Sequence, residues 1–255
     1  MPAFADATKG TPNYGWDAPG IMLGFLGGGG AVVVGGLALA NLASFAHARL
    51  LGVGLAALGA LPLLLGLAML QYRLAGKLRT RDAILNLINW HGNEAVLDVG
   101  TGAGMLMIGA AKRLNRGGCA TGIDIWSAKD LSNNSDAATH RNIAIEGVSD
   151  TTEVRTDDAT RLSFPDATFD AVVSLLCLHN IEPKPNQAKA CREIARVLKP
   201  GGRVVIGDYV PTHDYAAALR AAGLTIERSR SACGMAGALM WLLVADKPLS
   251  PAKEM

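Results

Sequence analysis

The feature that most constrains this chain is where charge is missing. No side chain from Ala18 to Ala46 is charged, and none is from Leu50 to Tyr72. Of 24 Lys/Arg and 22 Asp/Glu residues, only Asp6, Lys9, Asp17 and Arg49 fall within residues 1–72. A helix needs about 20 apolar residues to cross a bilayer core, and both stretches are long enough. The interruption between them, His47-Ala48-Arg49, is short, which predicts two antiparallel neighbours in a membrane hairpin. Gly20, Gly24 and Gly28 stand at spacing four, as do Ala56 and Ala60, and such residues let helix backbones approach closely in lipid. The same Gly-rich hairpin offers a surface for a homo-oligomer. Pro62 predicts a kink in the second helix. Arg73, Lys77, Arg79 and Arg81 follow the second stretch, against Arg49 alone between the two, so both ends of the chain are expected in the cytoplasm. A cleaved leader ending at Ala46-His47-Ala48 would be unusually long and lacks a basic start. A buried hairpin of a soluble protein is the other alternative.

The remainder carries an ordinary density of charge. An apolar content of 50% excludes disorder. A net charge of +2 with no basic block gives no support for nucleic-acid binding. Four cysteines, Cys119, Cys177, Cys191 and Cys233, form no C-x-x-C pair, so neither a disulfide framework nor a metal site is indicated.

After a helical stretch at Thr80–Trp90, short apolar runs alternate with amphipathic ones. Strands are expected at Ala95–Val99, Ala120–Ile125, Thr152–Arg155, Phe169–Leu176, Arg203–Gly207, Leu224–Arg228 and Leu239–Ala245. Helices are expected at Ala103–Leu114, Ala137–Glu146, Gln187–Leu198 and Tyr215–Ala222. Lys199-Pro200-Gly201-Gly202 reads as a helix stop and turn. The alternation predicts an α/β fold with a doubly wound, mostly parallel seven-stranded sheet. The last two strands lie too close in sequence for a helical crossover and should pair antiparallel. The expected division is a tail at 1–17, the hairpin at 18–72, a linker and first helix at 73–91, the α/β domain at 92–248 and a tail at 249–255. The polar segment Trp126–Ala137 is longer than a simple connection and reads as a solvated loop or a lid.

The chemistry belongs at the carboxyl ends of the strands, where open α/β sheets bind ligands. The first strand runs into Asp98-Val99-Gly100-Thr101-Gly102-Ala103-Gly104, a bare turn against which a ligand can lie. The dinucleotide fingerprint would need glycine at Met105, and no Gly-Lys-Ser/Thr is present, so neither that motif nor a P-loop is formed. The second strand ends at Asp124, placed to take both hydroxyls of a ribose. Ile125 and Trp126 follow and suit one face of a purine. Asp158 and Ala159, after the third strand, suit an exocyclic amine. Together these residues would hold an adenosine without phosphates.

The segments VLDVGTGAG, GIDIW, DDATRLSFPDATFDAVVSLLCLHNI and REIARVLKPGGRVVIGD resemble successive motifs of the class I S-adenosylmethionine-dependent methyltransferases. The likeness is greatest to the small-molecule group that includes quinone and sterol methylases. It covers roughly residues 80–248, and the hairpin and the long loop after Trp126 depart from the common pattern. The resemblance implies a Rossmann-like fold and S-adenosyl-L-methionine as cofactor. It implies that Asp98, Gly100, Thr101, Gly102 and Gly104 hold the methionine part, that Asp124 holds the ribose with Ile125 and Trp126 beside the adenine, and that Asp158 and Ala159 meet the adenine edge. Cys177, Leu178 and His179 would lie near the sulfonium and the acceptor.

Methyl transfer from a sulfonium has an activated leaving group, so alignment carries most of the rate. His179 is the candidate general base, with a structural or substrate-shaping histidine as the alternative. Asp208 and Tyr209 are weaker candidates. Tyr72, Arg73 and Lys77 either border an acceptor entrance or anchor the hairpin at the interface. A membrane anchor points to a lipophilic acceptor: a quinone, isoprenoid, sterol-like molecule, phospholipid or thiol. The alternatives are a metalloid methyltransferase using Cys177 and Cys233, a cofactor-binding membrane subunit without catalysis, and a nicotinamide-dependent oxidoreductase.

Overall fold

The computed structural model describes residues 10–16, 18–115, 117–127, 134–231 and 240–249. These fall into two compact units. One is formed by Trp16 and residues 18–77; the other by 10–15, 78–231 and 240–249. Half of the polar segment Trp126–Ala137, expected as a solvated loop or a lid, lies outside the described residues, as does Cys233.

The first unit is a helical hairpin, α1 (Pro19–Leu42) and α2 (Ala46–Gln71), followed by a π-helical turn (Tyr72–Gly76); α3 (Lys77–Leu85) starts at its last residue and otherwise belongs to the second unit. The break does not fall at His47-Ala48-Arg49, as the charge pattern predicted. It falls at residues 43–45, and α2 runs through Arg49. Arg49 reaches back from the first turn of α2, its Nε donating to the Ala43 carbonyl at 2.9 Å. That carbonyl lies just past the end of α1, where intrahelical donors run out. Pro62 lies inside α2, whose helix continues on both sides of it.

The packing seam also differs from the expected one. Gly20, Gly24 and Gly28 have open space where a side chain would stand. The buried positions are instead Met22, Gly29 and Gly36 on α1 and Gly52, Gly59 and Gly66 on α2. Each row has a period of seven, the spacing that keeps one face of a 3.6-residue helix against a partner as the pair supercoils. A Cβ on Gly36 would lie 2.5 Å from the Ala56 nitrogen, and one on Gly52 2.4 Å from the Ala40 nitrogen. The two backbones therefore touch along the seam. Ala56 and Ala60 flank it, half-buried. Large apolar side chains such as Val34, Leu51, Leu58, Leu61 and Leu64 point outward and are exposed.

The second unit is a seven-stranded sheet in the order β3-β2-β1-β4-β5-β7-β6. Its strands are β1 (Ala95–Val99), β2 (Cys119–Asp124), β3 (Thr152–Thr156), β4 (Phe169–Leu175), β5 (Leu198–Asp208), β6 (Thr225–Ser231) and β7 (Trp241–Asp246). The helices are α4 (Met105–Ala111), α5 (Asp136–Glu146), α6 (Pro185–Val197) and α7 (His213–Ala221), together with α3 from the preceding turn. Strands β1 to β5 are parallel, and β7 runs antiparallel between β5 and β6. Both faces of the sheet are covered. Leu97, Val99, Val172 and Ile206 pack with Ile194, Leu198 and Leu219, while Val96, Val173 and Val205 pack with Ile84, Leu85, Ile108 and Ile143. Burial on both faces explains why β4 reads as a nearly unbroken apolar run.

Three local expectations need correction. Lys199-Pro200-Gly201-Gly202 does not separate helix from strand. Leu198 already pairs with Phe169, and pairing resumes at Ala171 with Arg203, so the segment bulges within β5. Gly201 supplies the left-handed residue, with φ 81°. The expected N-terminal tail is, in its described part, not a tail. Asn13 and Tyr14 pack on the α/β unit and hydrogen-bond to α5. The helix expected at Thr80–Trp90 starts earlier, at Lys77, and ends at Leu85. It starts earlier because the backbone stays helical from Ala46 onward.

Candidate active site

Parallel register brings five strand ends to one rim. Asp124 lies opposite Thr156, Val99 opposite both Ile123 and Ser174, and Leu175 opposite Gly207. The chain winds β1-β2-β3 to one side and then returns to place β4 on the other side of β1. The crevice between these two directions is the switch point, where ligands of such sheets bind.

The glycine turn opens this crevice. Gly100, Gly102 and Gly104 have φ of 74°, 52° and 85°, a region that favours residues without a Cβ. At Gly100 a side chain is excluded twice over, because its Cβ would stand 2.2 Å from Cys177 Sγ. The amides of Gly100 and Thr101 both donate to the Ile123 carbonyl at 2.9 Å, tying the turn to β2. Asp98 is buried beneath it. Its Oδ2 accepts from Thr101 Oγ1 at 2.8 Å and from the Met107 amide at 2.9 Å. Burial and, to a lesser degree, the nearby Asp124 carboxylate together push the Asp98 carboxyl up to about 7, against the two hydrogen bonds.

Asp124 turns onto the rim rather than away from it. Its Oδ2 accepts from the Gly102 amide at 2.9 Å and its Oδ1 from the Trp126 amide at 2.7 Å. Oδ2 keeps lone-pair capacity for a further donor, such as a ribose hydroxyl. Asn134 Nδ2 is 3.3 Å from Asp124 Oδ1, and Asn134 Oδ1 is buried with no partner among the described residues. A second acceptor beside the carboxylate suits the same hydroxyl donors. Ile125 is 66% exposed, an unusual state for isoleucine and one that suits an aromatic ring laid over it. Trp126 has φ 60°, strained for a bulky residue, and its indole N–H is pinned to Thr156 Oγ1 at 2.7 Å. Asp158 is exposed two residues beyond the end of β3, with Oδ1 accepting from the amide and hydroxyl of Thr160 at 2.8 Å each. Ala159 beside it packs against the core.

On the other side of β1, Leu176 has φ 54°, a second strained residue at the rim. Cys177 follows and sits where the fields of Asp98, Asp124 and Asp208 converge. Burial, reinforced by those carboxylates, pushes its thiol far above the ordinary range. His179 Nδ1 lies 2.7 Å from Oδ1 of the fully buried Asp208, at ion-pair distance but out of line for a straight hydrogen bond. Asp208 Oδ2 also accepts from the His179 amide and from Tyr215 Oη, each at 3.3 Å. The Tyr209 ring meets the imidazole edge-on, with centroids 4.3 Å apart. Asp208 thus fixes a histidine that stands just past the end of β4.

Residues without a sequence signal complete the site. Thr139 Oγ1 donates to the Gly102 carbonyl at 2.6 Å and Asn142 Nδ2 to the Ala103 carbonyl at 2.8 Å, both from α5. Ser174 Oγ donates to the Val99 carbonyl at 2.8 Å. Among the described residues no three His, Cys, Asp or Glu side chains cluster as metal ligands would.

Residues 97–206 match the family model described as a methyltransferase domain. The chain carries a methyltransferase domain over those residues. A sterol 4-C-methyltransferase of Caenorhabditis elegans is 32% identical over 143 residues, covering 56% of this chain and 39% of that protein. A demethylmenaquinone methyltransferase of Lactiplantibacillus plantarum is 37% identical over 125 residues, 49% of either chain. The chain thus spans less than half the length of these curated relatives. Among solved structures, an S-adenosylmethionine-dependent methyltransferase from Aquifex aeolicus superposes with a TM-score of 0.54 at 20% identity, covering 67% of this chain and 90% of that one. The [4+2]-cyclase SpnF superposes with a TM-score of 0.57 at 22% identity, covering 68% and 81%. These likenesses show the methyltransferase fold. One of them is named a cyclase, so the shared fold does not by itself fix the reaction.

Proposed function

We propose that this protein is a membrane-anchored methyltransferase that uses S-adenosyl-L-methionine and acts on a small lipophilic acceptor. The observation that carries the reading is Asp124, held against the glycine turn with spare acceptor capacity and with Ile125 exposed beside it. When bound, the cofactor supplies a methyl group on a positively charged sulfur. This chain's residues do the rest. Asp124 and Asn134 accept from the ribose hydroxyls, Ile125 and Trp126 cover the adenine, and Asp158 and Ala159 border its edge. The bare turn at Gly100–Gly104 admits the methionine portion, and the Asp98 carboxylate beneath it favours positive charge. His179, oriented by Asp208, takes the proton from an acceptor hydroxyl or thiol onto its outer nitrogen and returns it to water. Cys177 stays a neutral thiol, which disfavours a metalloid acceptor bound through it.

Three observations support the anchor. Helix α1 and the 40-residue helix from Ala46 to Leu85 are long and apolar enough to cross a membrane, with mean hydropathies of 1.9 and 2.3. Only 17% and 11% of those windows are buried, unlike the core helices of a soluble protein. Residues 10–15, which precede the hairpin, belong to the same compact unit as the domain that follows it. The chain must then return to the side it left, as two crossings achieve. The basic residues after α2 favour the cytoplasmic side. The proposed division places the hairpin at 18–72 and the methyltransferase domain at 92–248. Gly20, Gly24 and Gly28, outside the seam, leave α1 a small-residue face for a second copy. The relatives named for sterol and menaquinone methylation support a lipophilic acceptor, which an enzyme held at a bilayer meets at high local concentration.

The test is to incubate the purified full-length protein with methyl-labelled S-adenosylmethionine and a total membrane lipid extract, then identify the labelled product by mass. Label in a quinone, isoprenoid, sterol-like lipid, phospholipid or lipophilic thiol supports the reading. Cofactor binding without label transfer supports the catalytically inactive alternative. Binding of NADH in place of S-adenosylmethionine overturns it.

A further inference from the structure

The segment ahead of the hairpin is fastened to the helix that holds the glycine turn. Asn142, 2% exposed at mid-helix in α5, makes three hydrogen bonds through one amide. Its Oδ1 accepts from the Asn13 backbone amide at 2.9 Å, and its Nδ2 donates to the Asn13 carbonyl at 2.9 Å and to the Ala103 carbonyl at 2.8 Å. The side chain pairs with Asn13 as a neighbouring strand would and passes its remaining proton to the turn. Only one orientation of the amide satisfies all three, because the flipped one would set Oδ1 against the Asn13 and Ala103 carbonyls. One turn along α5, Glu146 accepts from Tyr14 Oη at 2.7 Å and pairs with Lys112. Tyr14 also packs against the core beneath α4 and α5. The Ala103 carbonyl belongs to the same turn whose Gly102 amide is held by Asp124.

We propose that Asn142 is a positioning residue for the cofactor-binding turn and that residues 10–15 act as a clasp fixing its amide, so that the segment entering the hairpin sets how tightly cofactor is held. Nothing in the clasp touches reacting atoms. It acts by holding the Ala103 peptide, and with it the mouth of the turn, in one orientation. The proposal rests on the methyltransferase reading for its ligand, but the clasp itself is measurable without ligand.

The experiment uses the full-length protein and two variants. Asn142→Leu removes the amide, and Tyr14→Phe removes the phenol's interactions with Glu146 and Arg81 while keeping the ring. Amide hydrogen exchange over residues 101–107 is read without ligand, and affinity for S-adenosylhomocysteine is read by calorimetry. A hydrogen bond worth about 1.5 kcal/mol predicts roughly tenfold faster exchange and tenfold weaker binding in Asn142→Leu. Tyr14→Phe should show about twofold changes in the same direction. In the double variant its effect should vanish, because with the amide gone there is nothing left for the clasp to fix. Restoring a long amide with Asn142→Gln should recover part of the affinity, which a purely space-filling role would not predict. Wild-type exchange at residues 101–107 in Asn142→Leu overturns the positioning role. Strict additivity in the double variant overturns the clasp. If Asn142→Leu does not fold, Tyr14→Phe decides alone, with unchanged exchange at those amides refuting the proposal. A wild-type protein that binds no cofactor would defeat the methyltransferase reading, while the exchange data would still judge the clasp.

Discussion

The hairpin and the catalytic rim both depend on glycine, for opposite reasons. In the hairpin, Gly29, Gly36, Gly52, Gly59 and Gly66 sit in regular helix and are needed because another backbone lies where a Cβ would be. At the rim, Gly100, Gly102 and Gly104 adopt left-handed conformations, and what they clear is room for a turn and a ligand. The hairpin seam is held by close contact without polar side chains. The rim is held by a mesh in which Asp98, Asp124, Thr139 and Asn142 each fix a particular peptide group. A seam of the first kind suits an environment that offers no hydrophobic drive to pack. A mesh of the second kind suits a site that must hold its shape before the ligand arrives.

The largest separation between the two regions is expected from Asp124→Ala. The variant loses the acceptor for the ribose and the tie to Gly102, and affinity for S-adenosylhomocysteine should fall by about a hundredfold or more, since charged hydrogen bonds contribute roughly 1.5–3 kcal/mol each. The hairpin should be untouched, and circular dichroism should report unchanged helix content. Equal binding by calorimetry would remove the rim from cofactor recognition.

His179→Gln divides the rim itself. Cofactor affinity should stay within about twofold, while turnover of a hydroxyl or thiol acceptor should fall about a hundredfold, the lower range for loss of a general base. Asp208→Asn should lower turnover by less, because the imidazole remains. Full turnover in His179→Gln would reduce that side chain to shaping the pocket.

Gly36→Leu against Gly24→Leu tests the hairpin. The first places a side chain 2.5 Å from the Ala56 nitrogen, the second in open space on the same helix. Overpacking typically costs about 1–3 kcal/mol, so only Gly36→Leu should weaken helix pairing, read by cysteine cross-linking between α1 and α2. Equal cross-linking in both would dismiss the period-seven seam.

The sequence disclosed the architecture well and the contacts poorly. Strands β1, β2 and β4 were legible because burial on both faces demands apolar runs and because each ends in a motif with its own chemistry. Asp124 and the glycine turn stood out for the same reason. The hairpin seam was misread because α1 is glycine-rich on several faces, and a spacing of four was present without being used. Only the partner helix selects among them. Asn142 and Thr139 were silent, since a polar residue in the middle of a helix looks the same whether it faces water or a turn far away in sequence. The bulge in β5 was hidden because Lys-Pro-Gly-Gly suits a loop and a looped-out bulge equally.

The last effect concerns pH, and it couples the rim's two carboxylates. In the folded, cofactor-free protein Asp98 keeps its proton up to about pH 7, because burial and the Asp124 charge raise it. In the unfolded chain the same group ionises at about pH 4. Between these values the folded state binds more protons, so the stability of the cofactor-free protein should fall as pH rises through that window. A cationic ligand reverses the preference, because positive charge over the turn favours the ionised carboxyl. Binding at pH 6 must first remove a proton that at pH 8 is already gone, so affinity for S-adenosylmethionine should rise about tenfold between those values. Asp98→Asn should flatten both dependences, since its amide has no proton to lose. It also puts an amide where a carboxylate accepted two hydrogen bonds, so its absolute affinity should be lower even as its slope disappears. A pH slope that survived in Asp98→Asn would assign the coupling to another group and leave Asp98 as the fastener of the turn alone.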